Sequence, residues 1–598
     1  MSGSTTSRNS ARAGLLTPRL TRTRSLTSFN GAWRFALEPP GQGVDEWRKG
    51  VPGARLAAVP GAWNEQVLGG LESVHAGWYE RRFDAPEQRT GRRFLLRFDA
   101  ASLIADVWLD GDHVGRHEGG FLPFAFDVTD RLGPGEEHRL VVRVEHGLST
   151  LRTPVGGRPG AGNFGGSPTT SYDFFPMGGL IRPVRLLELP DAAIERVQVE
   201  TIDDAFQISV ETPSGFTGEV RATLRGASGS SESARVEGGC ASLRLAPGER
   251  RLWSPADPHL EAIQLDLVDG GSVVDTYVQN AGLRTISVDG DSVLLNGERV
   301  FLKGFGKHED FPVSGRGLNE AVVVRDAELM RWIGANSYRT SHYPYAEEAL
   351  EVADRTGLLV ISETSAVGLN FYDDPEHERA RLAWVSAELE ALIERDRNHP
   401  SVMAWSVANE PFAKSLFGSA APPPQNIARG VAFLGALCDA TRRLDPSRPV
   451  MVVGAQGHPE EFIALGDIVA INRYYGWYSE TARLEEGAEK LGAELDSLHE
   501  RFGKPILVAE FGADTLPGVH SADAEMWSEE FQVRMIELYL DQIERRPFVC
   551  GAHVWNFADF KTGQGILRAA GMNHKGVFTR DRRPKMAAHA LRRRWTQA

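Results

Sequence analysis

Cysteine is scarce in this chain, and its three cysteines, Cys240, Cys438 and Cys550, lie far apart in the sequence. An odd number at these spacings leaves no disulfide framework and no C-x-x-C metal site. We therefore expect a reducing compartment, and the cytoplasm is the simplest location. Residues 1–24 lack the apolar segment of a secretory signal and predict a polar, disordered tail.

Long hydrophobic runs and an excess of positive charge are also missing. No apolar run reaches the ~18 residues that a membrane span requires. The net charge of -14 argues against nucleic acid or an anionic membrane surface as a partner. No G-x-S-x-G, H-E-x-x-H or P-loop pattern stands at a suitable position, so we expect neither a metal nor a cofactor. The 598 residues, 41% of them hydrophobic, are typical of a large enzyme with several domains.

Three regions follow the tail. Strands such as ADVWLDGDHVGRH alternate apolar and polar residues from 25 to 190 and predict a β-sandwich. Residues 191–287 are again all-β and have the length of a small immunoglobulin-like sandwich. From 288 to 598, short apolar strands alternate with amphipathic helices. Eight strand candidates, the number that closes a (β/α)8 TIM barrel, can be counted there: RVFLKGFG, ANSYRTS, LLVISET, VMAWSVANE, RPVMVVGA, DIVAINRYY, PILVAEFG and GAHVWNF.

Two glutamates stand where buried strands give way to loops: Glu410 ends the fourth predicted strand and Glu510 the seventh. A carboxylate is costly to bury, so each could simply cap a helix or pair with an arginine. In a TIM barrel, however, catalytic residues collect at the carboxyl ends of the strands. Two carboxylates at that end indicate glycoside hydrolysis, in which one group donates a proton and the other attacks or activates water.

Other polar and aromatic residues fall at the same ends of the predicted strands. Together they predict a deep polar pocket with aromatic walls, the kind of surface that holds a sugar ring. They are Lys307, His308, Glu309, Asp310, Arg339, His342, Glu363, Asn409, Asn472, Arg473, Tyr474, Tyr475, Tyr478, Trp555 and Asn556.

Longer motifs carry a family resemblance. The segments NHPSVMAWSVANEP, INRYYGWY, ILVAEFGADTLPGVHS and VWNFADFKTGQGILRAAGMNHKGVFTRDRRPK resemble the β-glucuronidase branch of glycoside hydrolase family 2. The resemblance covers nearly everything beyond the first two dozen residues, less distinctly between 191 and 280. It implies a jelly-roll sandwich, an immunoglobulin-like sandwich and a catalytic barrel. It also implies a homo-oligomer, a dimer or tetramer, that cleaves small-molecule or oligosaccharide β-glucuronides with retention of configuration.

The resemblance also assigns roles. Glu410 becomes the general acid/base, Glu510 the nucleophile and Tyr474 a hydrogen-bond donor to Glu510, with the two carboxyl groups about 5 to 5.5 Å apart. Asn573 and Lys575, in MNHKG, match an Asn-x-Lys pair that reads the C6 carboxylate of the sugar. The remaining sugar-binding positions are Asp173, His342, Asn409, Tyr478, Trp555 and Arg568.

Departures from the family pattern leave alternatives open. The spacing from Arg568 to Asn573 is one residue longer than usual, which leaves the direction of Arg568 open. The loop from Ala366 to Glu378 is short, which favours an open mouth and larger substrates. A β-galacturonidase, another family 2 glycosidase such as a β-galactosidase, a metal-dependent barrel hydrolase and a non-catalytic carbohydrate-binding protein remain as alternatives.

Overall fold

The structure is a computed structural model, which describes residues 12–39, 45–67, 75–87, 90–157, 167–226, 230–414 and 421–596. The first region is a two-sheet antiparallel sandwich with sheet orders β1-β10-β5-β8 and β3-β2-β4-β9-β6-β7. Trp33, Trp63 and Phe98 lie in the core between the sheets. Its elements are β1 (Ser25–Ser28), β2 (Gly31–Leu37), β3 (Arg55–Val59), α1 (Trp63–Gln66), β4 (Ala76–Asp84), β5 (Arg92–Phe98), β6 (Ile104–Leu109), β7 (Asp112–Glu118), β8 (Phe124–Asp127), β9 (Glu137–Glu145) and β10 (Val184–Pro190), with 3-10 turns at Asp45–Lys49 and Thr129–Arg131.

The second region is a smaller sandwich with sheet orders β11-β12-β15 and β14-β13-β16-β17. Buried and accessible residues alternate along β13 and β15, as expected for strands with one face on the core. Its strands are β11 (Arg196–Ile202), β12 (Ala205–Glu211), β13 (Glu219–Leu224), β14 (Ser231–Arg235), β15 (Cys240–Leu245), β16 (Glu261–Asp269) and β17 (Ser272–Ala281).

A small three-stranded sheet follows, made of β18 (Ile286–Asp289), β19 (Ser292–Leu295) and β20 (Glu298–Arg299). Its Val293 and Leu295 pack against the apolar core of the barrel that follows, beside Leu302 and Leu359, which are the first residues of two barrel strands. The sheet therefore covers the amino-terminal end of the barrel.

All eight predicted barrel strands are present and close into one parallel barrel. Their buried, near-continuous apolar runs are typical of parallel strands covered by helices. The strands are β21 (Leu302–Gly306), β22 (Ser337–Arg339), β23 (Leu359–Glu363), β24 (Val402–Asn409), β25 (Val450–Gly454), β26 (Val469–Asn472), β27 (Ile506–Phe511) and β28 (Val549–Val554). The predicted fold class, two β-sandwiches followed by a TIM barrel, is confirmed.

Helices surround the barrel, and left-handed glycines such as Gly334 and Gly357 end two of them. The helices are α2 (Glu320–Ile333), α3 (Glu347–Thr356), α4 (Pro375–Asp396), α5 (Pro424–Leu444), α6 (Glu460–Ile463), α7 (Leu484–Phe502), α8 (Glu529–Glu544) and α9 (Met586–Thr596). A hairpin of β29 (Phe560–Lys561) and β30 (Met572–Asn573) follows the last strand, with a 3-10 turn at Ala569–Gly571. Within the described ranges, no helix combines the length and the apolar character that crossing a membrane requires.

The predicted disordered tail is wrong for residues 13–24, while residues 1–11 lie outside the described residues. After a 3-10 turn at Arg12–Leu15, Ala13 packs into a small core with Leu95 and Leu187. The carbonyl oxygens of Gly14 and Leu16 accept hydrogen bonds from buried Arg97. The polar groups of this segment, whose abundance suggested disorder, instead form hydrogen bonds with polar side chains of all three regions.

Arg24 gives the clearest example of such pairing. Its guanidinium donates through Nε to Asp275 of the second region at 3.0 Å, and both side chains are almost fully buried. Thr17 similarly donates to Glu347 of the barrel at 2.6 Å. A buried ion pair with further hydrogen bonds can hold a segment that has few apolar residues of its own.

Candidate active site

The two glutamates lie at one mouth of the barrel. Glu410 directly follows β24, and Glu510 is the fifth residue of β27. Glu410 adopts a left-handed backbone conformation with φ of 49°, unusual for a residue other than glycine. Its N–H donates to the carbonyl of Val453 at 2.8 Å, which fixes this turn against β25. The strained turn directs the chain away from the strand end at the candidate acid, the kind of position where strain is often found.

Glu510 receives a hydrogen bond on each carboxylate oxygen. The Tyr474 hydroxyl donates to Oε2 at 2.7 Å, and Arg339 donates through Nη2 to Oε1. Burial and the charge of Glu410 act to raise the pKa of Glu510, whereas Arg339 and Tyr474 oppose the rise. A cation and a phenol that both donate to Glu510 favour its ionised form.

Glu410 has a different environment. Among the described residues it accepts one hydrogen bond, from Asn472 Nδ2 to Oε1 at 2.8 Å. Burial raises the pKa of Glu410, and the charge of Asp173 adds to that effect, while Asn472 and Arg339 oppose it. The two carboxyl groups influence each other, so they titrate as a pair. Because the donors favour a charge on Glu510, the shared proton belongs on Glu410.

Arg339 organises the floor of the pocket. It is fully buried and donates through Nη1 to Glu363 Oε2 at 2.6 Å, in addition to its contact with Glu510. His342 donates through Nδ1 to the other oxygen of Glu363 at 2.8 Å. The pKa of Glu363 is lowered, since the pull of Arg339 and His342 outweighs burial. Glu363 therefore supplies the negative charge that keeps Arg339 buried and aimed at Glu510.

Asn409 and the aromatic residues complete this part of the pocket. Asn409 Oδ1 accepts from Asn472 Nδ2 at 3.2 Å and from Arg339 Nη1 at 3.4 Å, which orients the amide. Trp555, at the end of β28, stacks on the ring of His342 with centroids 5.1 Å apart and planes at 19°. The Trp555 ring thus provides a rigid apolar wall beside a polar floor, an arrangement suited to a sugar ring.

A second cluster lies around Lys575, whose ammonium is almost fully buried. Its Nζ contacts Asp514 Oδ2 and lies 3.0 Å from the Tyr478 hydroxyl. The same Nζ lies 5.8 Å from the ring centre of Tyr474, which bonds the candidate nucleophile. Burial acts to raise the pKa of Asp514, but Lys575 and Arg568 outweigh it and lower that pKa. The Tyr474 side chain therefore connects the Lys575 cluster to Glu510.

Asp173 of the first sandwich reaches into this cluster. Arg568 donates to both of its carboxylate oxygens, through Nε and Nη2, at 2.7 Å each. Asn573 Nδ2 also donates to Asp173, at 2.7 Å. Arg568 further donates to the Tyr478 hydroxyl at 3.1 Å. The direction of Arg568, which the longer spacing left open, is thus toward Asp173 and Tyr478, and a 3-10 turn at Ala569–Gly571 lies between it and Asn573.

The structure brings together the residues to which the family resemblance assigned roles: Asp173, His342, Asn409, Glu410, Tyr474, Tyr478, Glu510, Trp555, Arg568, Asn573 and Lys575. Of the other polar residues predicted to line the pocket, Lys307 instead pairs with Asp326, and Arg473 and Tyr475 bond Glu494. Arg339 and Asn472 were predicted as pocket residues without an individual role, and Asp514 was not predicted at all. The first two had a signal, because each lies near the carboxyl end of a predicted barrel strand, and each is the last residue of the observed strand. Asp514 had a weaker one, since it lies four residues beyond Glu510 in the loop after β27. Within the described ranges, no group of three or more potential ligand side chains is arranged to hold a metal ion.

Comparisons with known proteins agree with this geometry. The family model described as glycosyl hydrolases family 2, TIM barrel domain, matches residues 286–598, and that of the family 2 sugar binding domain matches residues 26–190. The chain is 38% identical to a β-glucuronidase of Paenibacillus borealis over 97% of this chain and 98% of the relative. It is 34% identical to the β-glucuronidase of Sus scrofa over 97% of this chain and 92% of the relative.

Solved structures give the same picture. Bifidobacterium dentium β-glucuronidase complexed with coumarin-3-O-glucuronide superposes with a TM-score of 0.90 at 35% identity, over 97% of this chain and 98% of that one. A Ruminococcus gnavus β-glucuronidase in complex with D-glucuronic acid superposes with a TM-score of 0.85 at 34% identity, over 97% and 99% of the two chains.

Proposed function

The chain belongs to glycosyl hydrolase family 2, and from that premise we propose that it hydrolyses β-D-glucuronides, releasing the terminal glucuronic acid. The observation that carries the proposal is the position of Lys575, whose buried ammonium lies 5.8 Å from the ring of the tyrosine that bonds Glu510. A carboxylate at C6 would lie beside this cation while C1 faces the glutamates. A neutral sugar would leave the ammonium without that partner.

In the first chemical step, the ionised Oε of Glu510 attacks C1 of the sugar. The bond from C1 to the glycosidic oxygen breaks with its electron pair on the oxygen, which takes the proton of Glu410. Tyr474 and Arg339 hold the attacking carboxylate, so its direction is set before the substrate arrives. The products of this step are the free aglycone alcohol and a covalent glycosyl-enzyme.

In the second step, Glu410, now ionised, takes a proton from water, and the resulting hydroxide attacks C1. The ester bond to Glu510 breaks and returns its carboxylate, so two inversions give net retention. Glu410 can serve as acid and then as base because the charge of Glu510 is lost in the covalent intermediate, which lowers the pKa of Glu410. Asn409, held by Asn472 and Arg339, is positioned to bind the 2-hydroxyl in the charged transition state.

The C6 carboxylate is read by the Lys575 cluster in this proposal. An ammonium offers three donors and a full charge, and the Asn573 amide adds a directional donor. Asp173 holds both Arg568 and Asn573 and is itself available to a sugar hydroxyl. A β-galacturonidase differs only in the contacts to the 4-hydroxyl and is the second candidate within the same chemistry.

A panel of 4-nitrophenyl glycosides that differ only at C4 and C6 tests the proposal. We expect the β-D-glucuronide to be hydrolysed fastest, ahead of the β-D-galacturonide, the β-D-glucoside and the β-D-galactoside. Faster turnover of a neutral sugar would contradict the role of Lys575, and sugar binding with no turnover would favour a non-catalytic protein. The rates should be unchanged by a chelator, whereas loss of activity would favour a metal-dependent hydrolase.

We further propose domain limits of 25–190, 191–287 and 288–598, supported by the separate apolar cores of the two sandwiches and by the closed barrel that follows them. A cytoplasmic location and a dimer or tetramer are also part of the proposal. Sedimentation velocity tests the oligomeric state, and a monomer at micromolar concentration would contradict it. Rates on uronic-acid oligosaccharides compared with small aryl glucuronides test whether the short loop from Ala366 to Glu378 admits larger substrates.

A further inference from the structure

A cavity of about 260 Å³ lies between the second sandwich and the barrel, away from the catalytic mouth. Residues 199–202 and 281–286 of the sandwich side form one wall, and residues 397–400 and 446–448 of the barrel form the other. These barrel segments precede β24 and β25, so the cavity lies at the amino-terminal end of the barrel. The catalytic glutamates are at the opposite ends of their strands.

Three arginines line this cavity, Arg284 from the sandwich side and Arg397 and Arg448 from the barrel, and each is at most 8% exposed. Arg448 is neutralised by Asp445, with 2.6 Å between Nη1 and Oδ2. Arg397 is neutralised by Glu200, with 2.9 Å between Nη2 and Oε1. Two of the three guanidinium groups therefore already have a carboxylate.

Arg284 is the exception. Its Nε donates to the carbonyl of Pro400 and its Nη2 to the carbonyl of Val402, each at 3.1 Å. Among the residues that the structure describes, no carboxylate forms an ion pair with it. The carbonyl of Val402 also accepts from Arg448, so two like charges converge on one oxygen. Burial lowers the pKa of Arg284 well below its usual value and the charge of Arg448 adds to this effect, while the charges of Asp445 and Asp354 oppose it.

A buried cation without a counter-ion is costly, and a guanidinium matches the oxygens of phosphate in both geometry and charge. The hydroxyls of Thr201 and Thr285 also belong to the lining, whereas the Ser447 hydroxyl and the Asn398 amide already donate to Asp445 and to the carbonyl of Val197. With Glu200 paired to Arg397 and Asp445 paired to Arg448, the three guanidinium groups of the lining keep one net positive charge, on Arg284. The lining is thus cationic, hydroxyl-rich and large enough for a small ion.

We propose that this cavity is a binding site for a small oxyanion of the phosphate type, held by Arg284 and bridging the second sandwich to the barrel. The anion would form the direct ion pair with Arg284 that none of the described carboxylates forms. Binding would stabilise the native arrangement of the two regions, because the walls of the site come from both of them. The site is separate from the catalytic pocket and does not depend on the proposed glucuronidase activity.

Calorimetric titration of the full-length protein with inorganic phosphate, at ionic strength held constant with NaCl, tests the proposal. We expect one saturable site per chain in the Arg284 cavity and a rise in the apparent Tm of about 2 °C or more near saturation. Arg284→Gln should weaken phosphate binding at that site at least tenfold, because it removes charge-assisted hydrogen bonds. Arg225→Gln is the matched control, since Arg225 is exposed on the same sandwich and its loss changes the net charge equally.

Two further variants keep the test decisive. Thr285→Asp places a carboxylate at the exposed edge of the cavity and should weaken phosphate binding by repulsion. This variant provides the test if Arg284→Gln does not fold. Lys575→Ala should leave this binding intact, because its cluster lies at the other end of the barrel. Absence of phosphate binding in the unmodified protein would overturn the proposal. The proposal would also be overturned if Lys575→Ala or Arg225→Gln abolished phosphate binding while Arg284→Gln still bound phosphate.

Discussion

Replacing Lys575 by methionine removes the cation that we propose binds the substrate carboxylate but keeps an unbranched side chain of similar length. The loss of a charge-assisted hydrogen bond costs about 1.5 to 3 kcal/mol. At 1.4 kcal/mol per factor of ten, this corresponds to roughly a 10- to 150-fold decrease in kcat/KM on an aryl glucuronide. The decrease should be larger here, because the structure adds a second effect.

The second effect is Asp514, which contacts Lys575 Nζ and is almost fully buried. Without the lysine, the carboxylate of Asp514 would face the carboxylate of the substrate. Two like charges about 4 Å apart repel by about 4 kcal/mol at an effective dielectric constant of 20. Arg568, whose Nη1 lies 3.4 Å from Asp514, offsets part of this repulsion. We therefore expect Lys575→Met together with Asp514→Asn to be about tenfold faster or more than Lys575→Met alone.

The assay is the initial rate on 4-nitrophenyl β-D-glucuronide, with 4-nitrophenyl β-D-glucoside as the matched substrate without the carboxylate. Glucoside hydrolysis should be nearly equal in the unmodified protein and both variants, and the apparent Tm of each variant shows that it is folded. An equal loss on both substrates would mean that Lys575 is structural. A double variant no faster than the single one would refute the role given to Asp514.

Three further predictions concern the catalytic pair and the N-terminal segment. Glu510→Gln should remove nearly all activity on every substrate, whereas Glu410→Gln should spare substrates whose leaving group needs no proton; equal losses on activated and unactivated leaving groups would contradict these roles. Tyr474→Phe removes a donor that lowers the pKa of Glu510, so the acidic limb of the pH profile of kcat/KM should move to higher pH, and an unchanged limb would count against this hydrogen bond. Arg24→Ala leaves Asp275 buried and unpaired and should destabilise the protein by about 3 to 5 kcal/mol in denaturant unfolding, while a loss within error would show that the segment is not held by this pair.

The barrel and its glutamates were predictable because the relevant information is local. A strand buried on both faces consists of a short run of apolar residues, and eight such strands with helices between them close into a barrel. The carboxyl ends of parallel strands meet at one mouth, so Glu410 and Glu510 could be placed together without any knowledge of side-chain positions. The chemistry of two carboxylates then followed from their residue type.

The N-terminal segment shows where such reasoning fails. Residues 13–24 are polar and carry no helix or strand pattern, so their composition predicted disorder. Their order depends on partners such as Asp275 and Glu347, which lie more than 250 residues away in the sequence. The composition of residues 13–24 describes that segment alone, whereas the side chains that hold it in place come from distant parts of the chain.

The sequence by itself therefore determined the fold class and which two glutamates share the barrel mouth, because periodicity and strand ends are properties of neighbouring residues. Only the tertiary structure decided which groups neutralise one another. It joined Asp173 to Arg568 and Asn573 across the boundary between sandwich and barrel, and it placed Asp514 against Lys575. It also left Arg284 in a buried cavity with carbonyl oxygens for partners. Charge balance in a protein interior depends on distances of a few ångströms between segments that are remote in the chain, and no local pattern encodes those distances.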